Sequence, residues 1–153
     1  MFQLVVFGLD DHRYALPLST VERVIPAIEV TPLPKAPEII LGVINIQGKM
    51  VPVVNVRKRF RLPEQEIDLD NHFIIGHTIR RPVALVADFV SGIVERSEED
   101  VIAAQAILPG LEYVEGIAEL EDGIVLIHDL KKFLSLEEEN TLDEALGSAP
   151  GAE

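Results

Sequence analysis

The chain has 153 residues, of which 48% are hydrophobic and 25% are charged, so it can bury a core and extensive disorder is not expected. It contains no cysteine, which excludes disulfides, thiolate nucleophiles and zinc–thiolate sites. Its formal net charge of −13 lies mainly in residues 79–153, with 17 Asp and Glu against 5 Lys and Arg, and this acidity argues against a nucleic-acid partner.

The opening residues predict a β-hairpin. Phe2–Leu9 and Arg13–Leu18 are apolar and flank the turn pair Asp10-Asp11. The first run carries no early positive charge and is too short for a signal peptide or a membrane span. We therefore expect no direct membrane insertion and a cytoplasmic location.

A short helix is predicted next. Ser19 and Glu22 have the spacing of a capping box, Val21 belongs to the apolar face that would follow, and Pro26 would end the helix. The proline-rich segment 31–37 predicts a loop.

A second hairpin is predicted from Gly42–Gln47 and Met50–Val56, which flank Gly48-Lys49. The basic residues 57–61 follow it. They could hold phosphates, but we interpret them as a solvated strand end that faces acidic groups of the second half.

The chain also repeats itself. Residues 42–58 recur at 116–132 with an offset of 74, and residues 16–25 recur at 85–94 with an offset of 69. Two blocks in the same order predict two similar subdomains within a single domain of residues 1–153. We expect halves at about 2–62 and 72–134, with the N-terminal strand free to join the second barrel.

These short, β-branched runs between turns predict small closed barrels rather than parallel α/β units. Ser135 and Glu138 form another capping box, so a C-terminal helix is predicted over 135–147, followed by a disordered tail over 148–153.

Nothing in the sequence has the spacing of a catalytic or metal-binding motif. We interpret the four histidines, His12, His72, His77 and His128, as surface or packing residues. We predict no enzymatic activity, no cofactor and no metal.

Residues 42–60 resemble the signature of the CheW family, the chemotaxis coupling proteins, and the similarity extends over residues 2–146. The resemblance implies a mainly β fold of two five-stranded, SH3-like β-barrels that share a core. It also implies a scaffold without catalysis that links the cytoplasmic tip of a chemoreceptor to the regulatory domain of a CheA-type histidine kinase.

The resemblance also suggests where partners bind, namely the first helical turn and the turn of the second hairpin. The matching positions give the candidate partner-binding residues Val21, Gly42, Asn45, Gln47 and Gly48. Gln47 stands where the family usually has arginine, and Asn55 where it usually has aspartate. We expect Asn45 and Gln47 to share one face of a strand. The two glycines could equally serve turn geometry alone.

Two alternatives remain open from the sequence. The replacements at Gln47 and Asn55 are compatible with a divergent adaptor in a signalling array outside chemotaxis. A small-molecule-binding or hydrolytic β-barrel protein is the alternative from another class, and it would need polar residues that converge in an apolar pocket.

Overall fold

The structure is a computed structural model, and it describes residues 2–103, 114–121 and 123–148. Within these residues the strands are β1 (Phe2–Leu9), β2 (His12–Pro17), β3 (Val21–Pro26), β4 (Ile40–Ile46), β5 (Lys49–Val54), β6 (His72–His77), β7 (Pro82–Ala87), β8 (Phe89–Arg96), β9 (Val101–Ala103), β10 (Val114–Leu120) and β11 (Gly123–His128). The α-helices are α1 (Val56–Arg59) and α2 (Leu136–Ser148), and 3₁₀ turns cover Leu18–Thr20, Glu98–Asp100 and Leu130–Lys132.

The strands form two sheets, as expected for a mainly β protein with two barrel-like subdomains. The five-stranded sheet has the order β3-β6-β7-β5-β4, and the six-stranded sheet has the order β8-β1-β2-β11-β10-β9. The chain exchanges hairpins between them. The early hairpin β1–β2 lies with the late strands β8–β11, and hairpin β6–β7 lies with β3, β4 and β5.

The sequence repeat with an offset of 74 is confirmed as a structural repeat. Strand β4 corresponds to β10 residue for residue, since both span seven residues and both carry a bulge before a glycine, Gly42 or Gly116. Each strand then pairs antiparallel with its successor, β5 or β11, and a helical turn follows. The two segments therefore build the same β–β–helical unit twice.

Alternation along each strand divides its side chains between two apolar clusters. In β1, Leu4 and Val6 face the interior of the six-stranded subdomain, whereas Phe7 and Leu9 face the core between the two sheets. The five-stranded sheet divides its side chains in the same way; Ile44 points inward and Val43 toward the shared core. This shared core joins the subdomains into one body.

The C-terminal helix is confirmed, and its start has the predicted capping box. The Ser135 hydroxyl accepts the Glu138 backbone N–H at 3.1 Å, and the Glu138 carboxylate accepts the Ser135 N–H at 2.8 Å. Leu142 and Ala145 bury one face of α2 against the shared core. Residues 149–153 of the predicted tail lie outside the described residues.

The helix predicted after Ser19 is wrong. Leu18–Thr20 form a single 3₁₀ turn, and residues 21–26 form β3, which pairs antiparallel with β6. The Thr20 hydroxyl donates to the Pro17 carbonyl at 2.8 Å. Pairing with a strand about fifty residues away outweighs the local capping signal, because ladder bonds and burial stabilise more than one cap.

Candidate partner-binding site

Three of the five candidate residues meet at the tip of the β4–β5 hairpin. Gln47 and Gly48 form a two-residue turn with φ values of +52° and +86°, which is the pattern of a type I′ turn. The Asn45 side-chain oxygen accepts the Gly48 backbone N–H at 2.8 Å and closes the turn. Gly48 has open space around its missing Cβ, so glycine is favoured here by its φ rather than by crowding.

The expectation that Asn45 and Gln47 share a strand face is wrong. Strand β4 ends at Ile46, so Gln47 belongs to the turn, where its left-handed backbone changes the direction of the chain. Asn45 is exposed on the strand, but its amide oxygen already accepts a turn hydrogen bond. Gln47 is thus an exposed side chain at the tip, followed by the exposed Gly48 and Lys49.

Gly42 serves close backbone approach. Thr31 bridges to Val43 through two backbone hydrogen bonds of 2.8 and 2.9 Å, which carry the segment after β3 across β4. A Cβ on Gly42 would lie 2.4 Å from the Thr31 carbonyl oxygen, well inside van der Waals contact. The absence of a side chain at residue 42 is therefore a packing requirement, whatever else the glycine does.

Val21 lies apart from the hairpin tip. It begins β3, an edge strand of the five-stranded sheet, whereas β4 is the other edge. Val21 is half-buried against the shared core, and Val24 on the same edge strand is 39% exposed. The structure thus brings Asn45, Gln47 and Gly48 together and places Val21 on a separate apolar edge.

A matching apolar edge exists on the other sheet, and sequence reasoning did not name it. Strand β8 is an edge of the six-stranded sheet, and its Phe89 and Ile93 are 37% and 59% exposed. In the repeat with an offset of 69, Ile93 aligns with Val24, so the repeat is the sequence signal that could have identified this second edge. Contiguous exposed apolar patches mark contact surfaces, and Phe89 and Ile93 make β8 a candidate for one.

The basic segment 57–61 is not a solvated strand end. Arg57, Lys58 and Arg59 lie in α1, and Arg57 is buried with a side chain only 8% exposed. Arg57 donates to both Asp10 carboxylate oxygens at 2.9 and 3.0 Å, and to Asp88 at 2.8 Å. Arg59 pairs with Glu138 at 2.6 Å. The expectation that this segment faces acidic groups of the second half is confirmed for Asp88 and Glu138.

The hydrogen bonds between Arg57 and Asp10 shift the pKa values of both side chains in favour of their charged forms. The guanidinium holds the pKa of the Asp10 carboxyl below its usual value, mainly through their direct hydrogen bond. The Asp10 hydrogen bond in turn raises the pKa of Arg57. Both groups are therefore charged at neutral pH, and Arg57 already uses its donors within the protein rather than for a phosphate ligand.

A second polar cluster fastens α2. Glu139 is buried and accepts hydrogen bonds from Thr78 at 3.0 Å and from Arg81 at 2.9 Å. Asp143, one turn along α2, pairs with Arg80 and Arg81 and is half-exposed. The hydrogen bond from Arg81 lowers the pKa of Asp143. The acidic helix is thus matched by cations on the β6–β7 turn.

The histidines lie as the sequence suggests. His128 is 1% exposed and stacks on Phe60 with a centroid distance of 4.4 Å, within a cluster that includes Tyr14 and Phe133. Burial lowers the pKa of His128 to about 3, so the ring is neutral at physiological pH. Across the described ranges, no three His, Asp or Glu side chains are grouped closely enough to hold a metal ion.

Two clefts open on the surface. One of about 610 Å³ lies between α1 and the start of α2, where Ser135 and Glu138 already bond each other and Arg59 pairs with Glu138. Another of about 490 Å³ is lined by Ser19, Glu115, Asp129 and Lys131, among other residues. Burial, followed by the Asp129 charge, raises the pKa of Glu115.

Comparison with known proteins decides the family. The model of the CheW-like domain matches residues 3–138, which is most of the chain. The protein belongs to the CheW-like family. Its relatives include the chemotaxis protein CheW of Treponema pallidum, 26% identical over 143 residues, which are 90% of this chain and 84% of that protein. The CheW of Klebsiella aerogenes is 26% identical over 148 residues, covering 95% and 89% of the two chains.

A solved CheW-like structure agrees with the fold. The scaffolding protein TtCheW from Thermoanaerobacter tengcongensis superposes with a TM-score of 0.81 and 28% identity, covering 90% of this chain and 94% of that one. These relatives make the protein a CheW-like scaffold of the chemotaxis type. Among the described residues, no helix is long and apolar enough to cross a membrane.

Proposed function

We propose that this CheW-like protein is a non-enzymatic, cytoplasmic scaffold that couples the cytoplasmic tip of a chemoreceptor to the regulatory domain of a CheA-type histidine kinase. The observation that carries the proposal is the family match over residues 3–138 on a fold with two similar, firmly packed sheets. A protein that links two partners needs two surfaces that one folded body presents together. The apolar edges β3 and β8 are suited to that task because each belongs to a different sheet.

The candidate contacts divide into an apolar edge and a polar tip. Val21 and Val24 on the edge strand β3 flank the exposed Glu22 and Arg23 and are apolar side chains against which a partner helix could bury surface. Gln47 and Gly48 extend beyond the strand at the β4–β5 turn, where a polar side chain can donate and accept hydrogen bonds. Asn45 closes the turn through its hydrogen bond with the Gly48 N–H, and Gly42 lets the backbone of Thr31 pass close to the start of β4.

The proposal that the protein has no enzymatic activity is supported by how its polar groups are used. The Ser135 hydroxyl in the larger cleft accepts a helix-capping bond, and Glu138 accepts bonds from the capping box and Arg59. In the smaller cleft, the Thr20 hydroxyl donates to a backbone carbonyl and Asp129 caps a turn. Groups engaged in structural bonds are poorly placed to act as nucleophile and base.

The test is a titration of the purified protein against each partner separately, using the receptor tip and kinase regulatory domain of the same organism. Val21→Glu places a charge on the apolar edge and should weaken binding of one partner about tenfold or more, equal to about 1.4 kcal/mol. Leu69→Glu is the matched control, because Leu69 is 88% exposed and lies between the two halves.

Circular dichroism of both variants verifies that they fold. Equal affinities of wild type, Val21→Glu and Leu69→Glu for both partners would remove Val21 from the interface. Failure of the wild type to bind either partner would count against receptor–kinase coupling and favour an adaptor for a different signalling array.

A further inference from the structure

The chain passes from one sheet to the other at two equivalent places. Between β7 and β8 it crosses from the five-stranded to the six-stranded sheet, and Asp88 is the single residue between those strands. Between β2 and β3 it crosses in the opposite direction through Leu18–Thr20. The offset of 69 makes these two crossings counterparts, with Asp88 set against Ser19.

The two crossings are built differently. At the β7–β8 crossing, Arg57 donates hydrogen bonds to Asp10 and Asp88. The Asp10 backbone N–H donates to the Asp88 carboxylate at 2.7 Å, and the Asp88 N–H donates to the Gly8 carbonyl at 2.8 Å. The arginine also donates to the Pro63 carbonyl at 3.2 Å. These bonds join α1, the β1–β2 turn and the β7–β8 junction into one closed network.

The second crossing lacks carboxylates at the positions of Asp10 and Asp88, although Glu115 and Asp129 line the cleft beside it. In the sequence repeat, Lys131 aligns with Arg57, Ile79 with Asp10 and Ser19 with Asp88. Ser19 and Lys131 line the cleft of about 490 Å³ rather than a closed ion network. One side of the molecule is thus bridged by charges, and its counterpart is open.

We propose that the network of Arg57, Asp10 and Asp88 is a latch that fixes the orientation of the two sheets at one crossing and leaves the opposite cleft as the side where they can move. Two features point to orientation rather than stability. Arg57 is buried and both carboxylates are partly exposed, and such an ion network contributes little net stability compared with apolar packing, but it demands one geometry. The bonds of Asp10 to Asp88 and Arg57 also tie the two-residue β1–β2 turn, in which Asp10 has the positive φ of +53° that such turns require, to the β7–β8 junction and to α1.

The latch lies at the end of β5 opposite the Gln47–Gly48 tip. Strand β5 begins directly after that turn and runs six residues to Val54, so a small rotation at Arg57 would displace the tip relative to the six-stranded sheet. This consequence rests on the proposed function: the latch sets the angle between the two partner-contact surfaces, the edges β3 and β8.

The experiment measures the distance between spin labels on the two sheets. The chain has no cysteine, so labels attach only at introduced sites. Ile79, in the turn of the five-stranded sheet, and Ile124, on β11, are 80% and 67% exposed and suit a pair across the sheets. Ile93 and Ile124 give a control pair within the six-stranded sheet.

Wild type should give one narrow distance distribution across the sheets. Arg57→Gln removes the charge, and Arg57→Lys keeps the charge but cannot bridge two carboxylates with a planar fork. Both should widen the distribution across the sheets by roughly a factor of two or more, while the pair within one sheet stays narrow. Arg61→Gln, an exposed arginine just after α1, is the matched control and should change neither distribution.

Unchanged widths in both Arg57 variants would overturn the latch, and so would equal widening of the pair within one sheet, because that would report unfolding of the sheet itself. The distances require no partner. The latch can therefore fail while the wild type binds both partners, and the proposed function can fail while the latch holds.

Discussion

Asn55 and Asp129 lie 74 residues apart and occupy the same position in two copies of one hairpin. The Asn55 side-chain oxygen accepts the Lys58 backbone N–H at 3.1 Å, and the Asp129 side-chain oxygen accepts the Lys131 N–H at 3.0 Å. Each residue ends its strand and begins a helical turn, α1 after β5 and a 3₁₀ turn after β11. The repeat therefore extends to the capping role of these two side chains, although the N–H that each accepts differs by one position, because the counterpart of Lys58 is Lys132.

This pairing predicts how Asn55 responds to substitution. Asn55→Ala removes the cap of α1 and the amide bond to Glu64 at 2.7 Å, and it should lower the free energy of unfolding by about 1–2 kcal/mol. Asn55→Asp restores the usual family residue and keeps the cap, but it replaces the donor to Glu64 with a second carboxylate; because Glu64 is exposed and can turn away, this variant should cost less than alanine. Urea unfolding measures both. If alanine and aspartate destabilise equally, the cap is not what Asn55 contributes.

His128 predicts a specific acid sensitivity. Burial lowers the pKa of His128 to about 3 in the folded protein. Below the ordinary value of 6.5, the unfolded chain therefore binds a proton at this ring, and the folded protein does not. The contribution of His128 to stability is complete above pH 6.5 and is lost as pH falls toward 3, at about 1.4 kcal/mol per pH unit.

His128→Leu should remove this part of the pH dependence, whatever it does to stability at pH 7. Denaturant unfolding between pH 4 and 7 measures the slope, and Leu69→Ala, at a non-titratable position that is 88% exposed, is the control that keeps the wild-type slope. Parallel slopes for wild type and His128→Leu would mean that the ring is protonated or exposed in the folded state.

The polar cluster under α2 predicts unequal effects of two acidic residues. Glu139→Ala leaves Arg81 and Thr78 without their buried carboxylate and should destabilise by about 3 kcal/mol. Asp143→Asn removes the half-exposed ion pairs with Arg80 and Arg81 and should cost about 1 kcal/mol or less. Thermal and urea unfolding compare the two variants. Similar losses would contradict the view that burial of Glu139, rather than charge pairing alone, fastens the helix.

Gln47 tests the candidate tip directly. Gln47→Arg restores the usual family residue and adds a positive charge at an exposed turn. If a partner offers an acidic group there, binding should tighten by about 1 kcal/mol and become more sensitive to salt, because a charge-assisted hydrogen bond is stronger than a neutral one. If the partner has changed with Gln47, binding should weaken. Titrations at low and high salt measure this, and unchanged affinity for both partners at both salts would place Gln47 outside the interface.

Local patterns predicted the hairpins, the repeat and the α2 cap, because turn residues and apolar alternation act within a few neighbouring positions. They did not predict β3, whose ladder partner β6 lies about fifty residues away. They did not predict the burial of Arg57, whose acceptors Asp10 and Asp88 come from distant segments. The sequence pattern is equally compatible with a turn at Gly48-Lys49, which would leave Gln47 in the strand. The positive φ of Gln47 shows that the turn lies one residue earlier, at Gln47-Gly48.

The measurement that tests the central claim most directly is analytical ultracentrifugation of this protein mixed with a receptor tip fragment and a CheA-type kinase regulatory domain. We predict one species that contains all three proteins and that does not form from the two partners alone. A mixture in which the protein sediments alone, or binds only one partner and excludes the other, would contradict its function as a receptor–kinase scaffold.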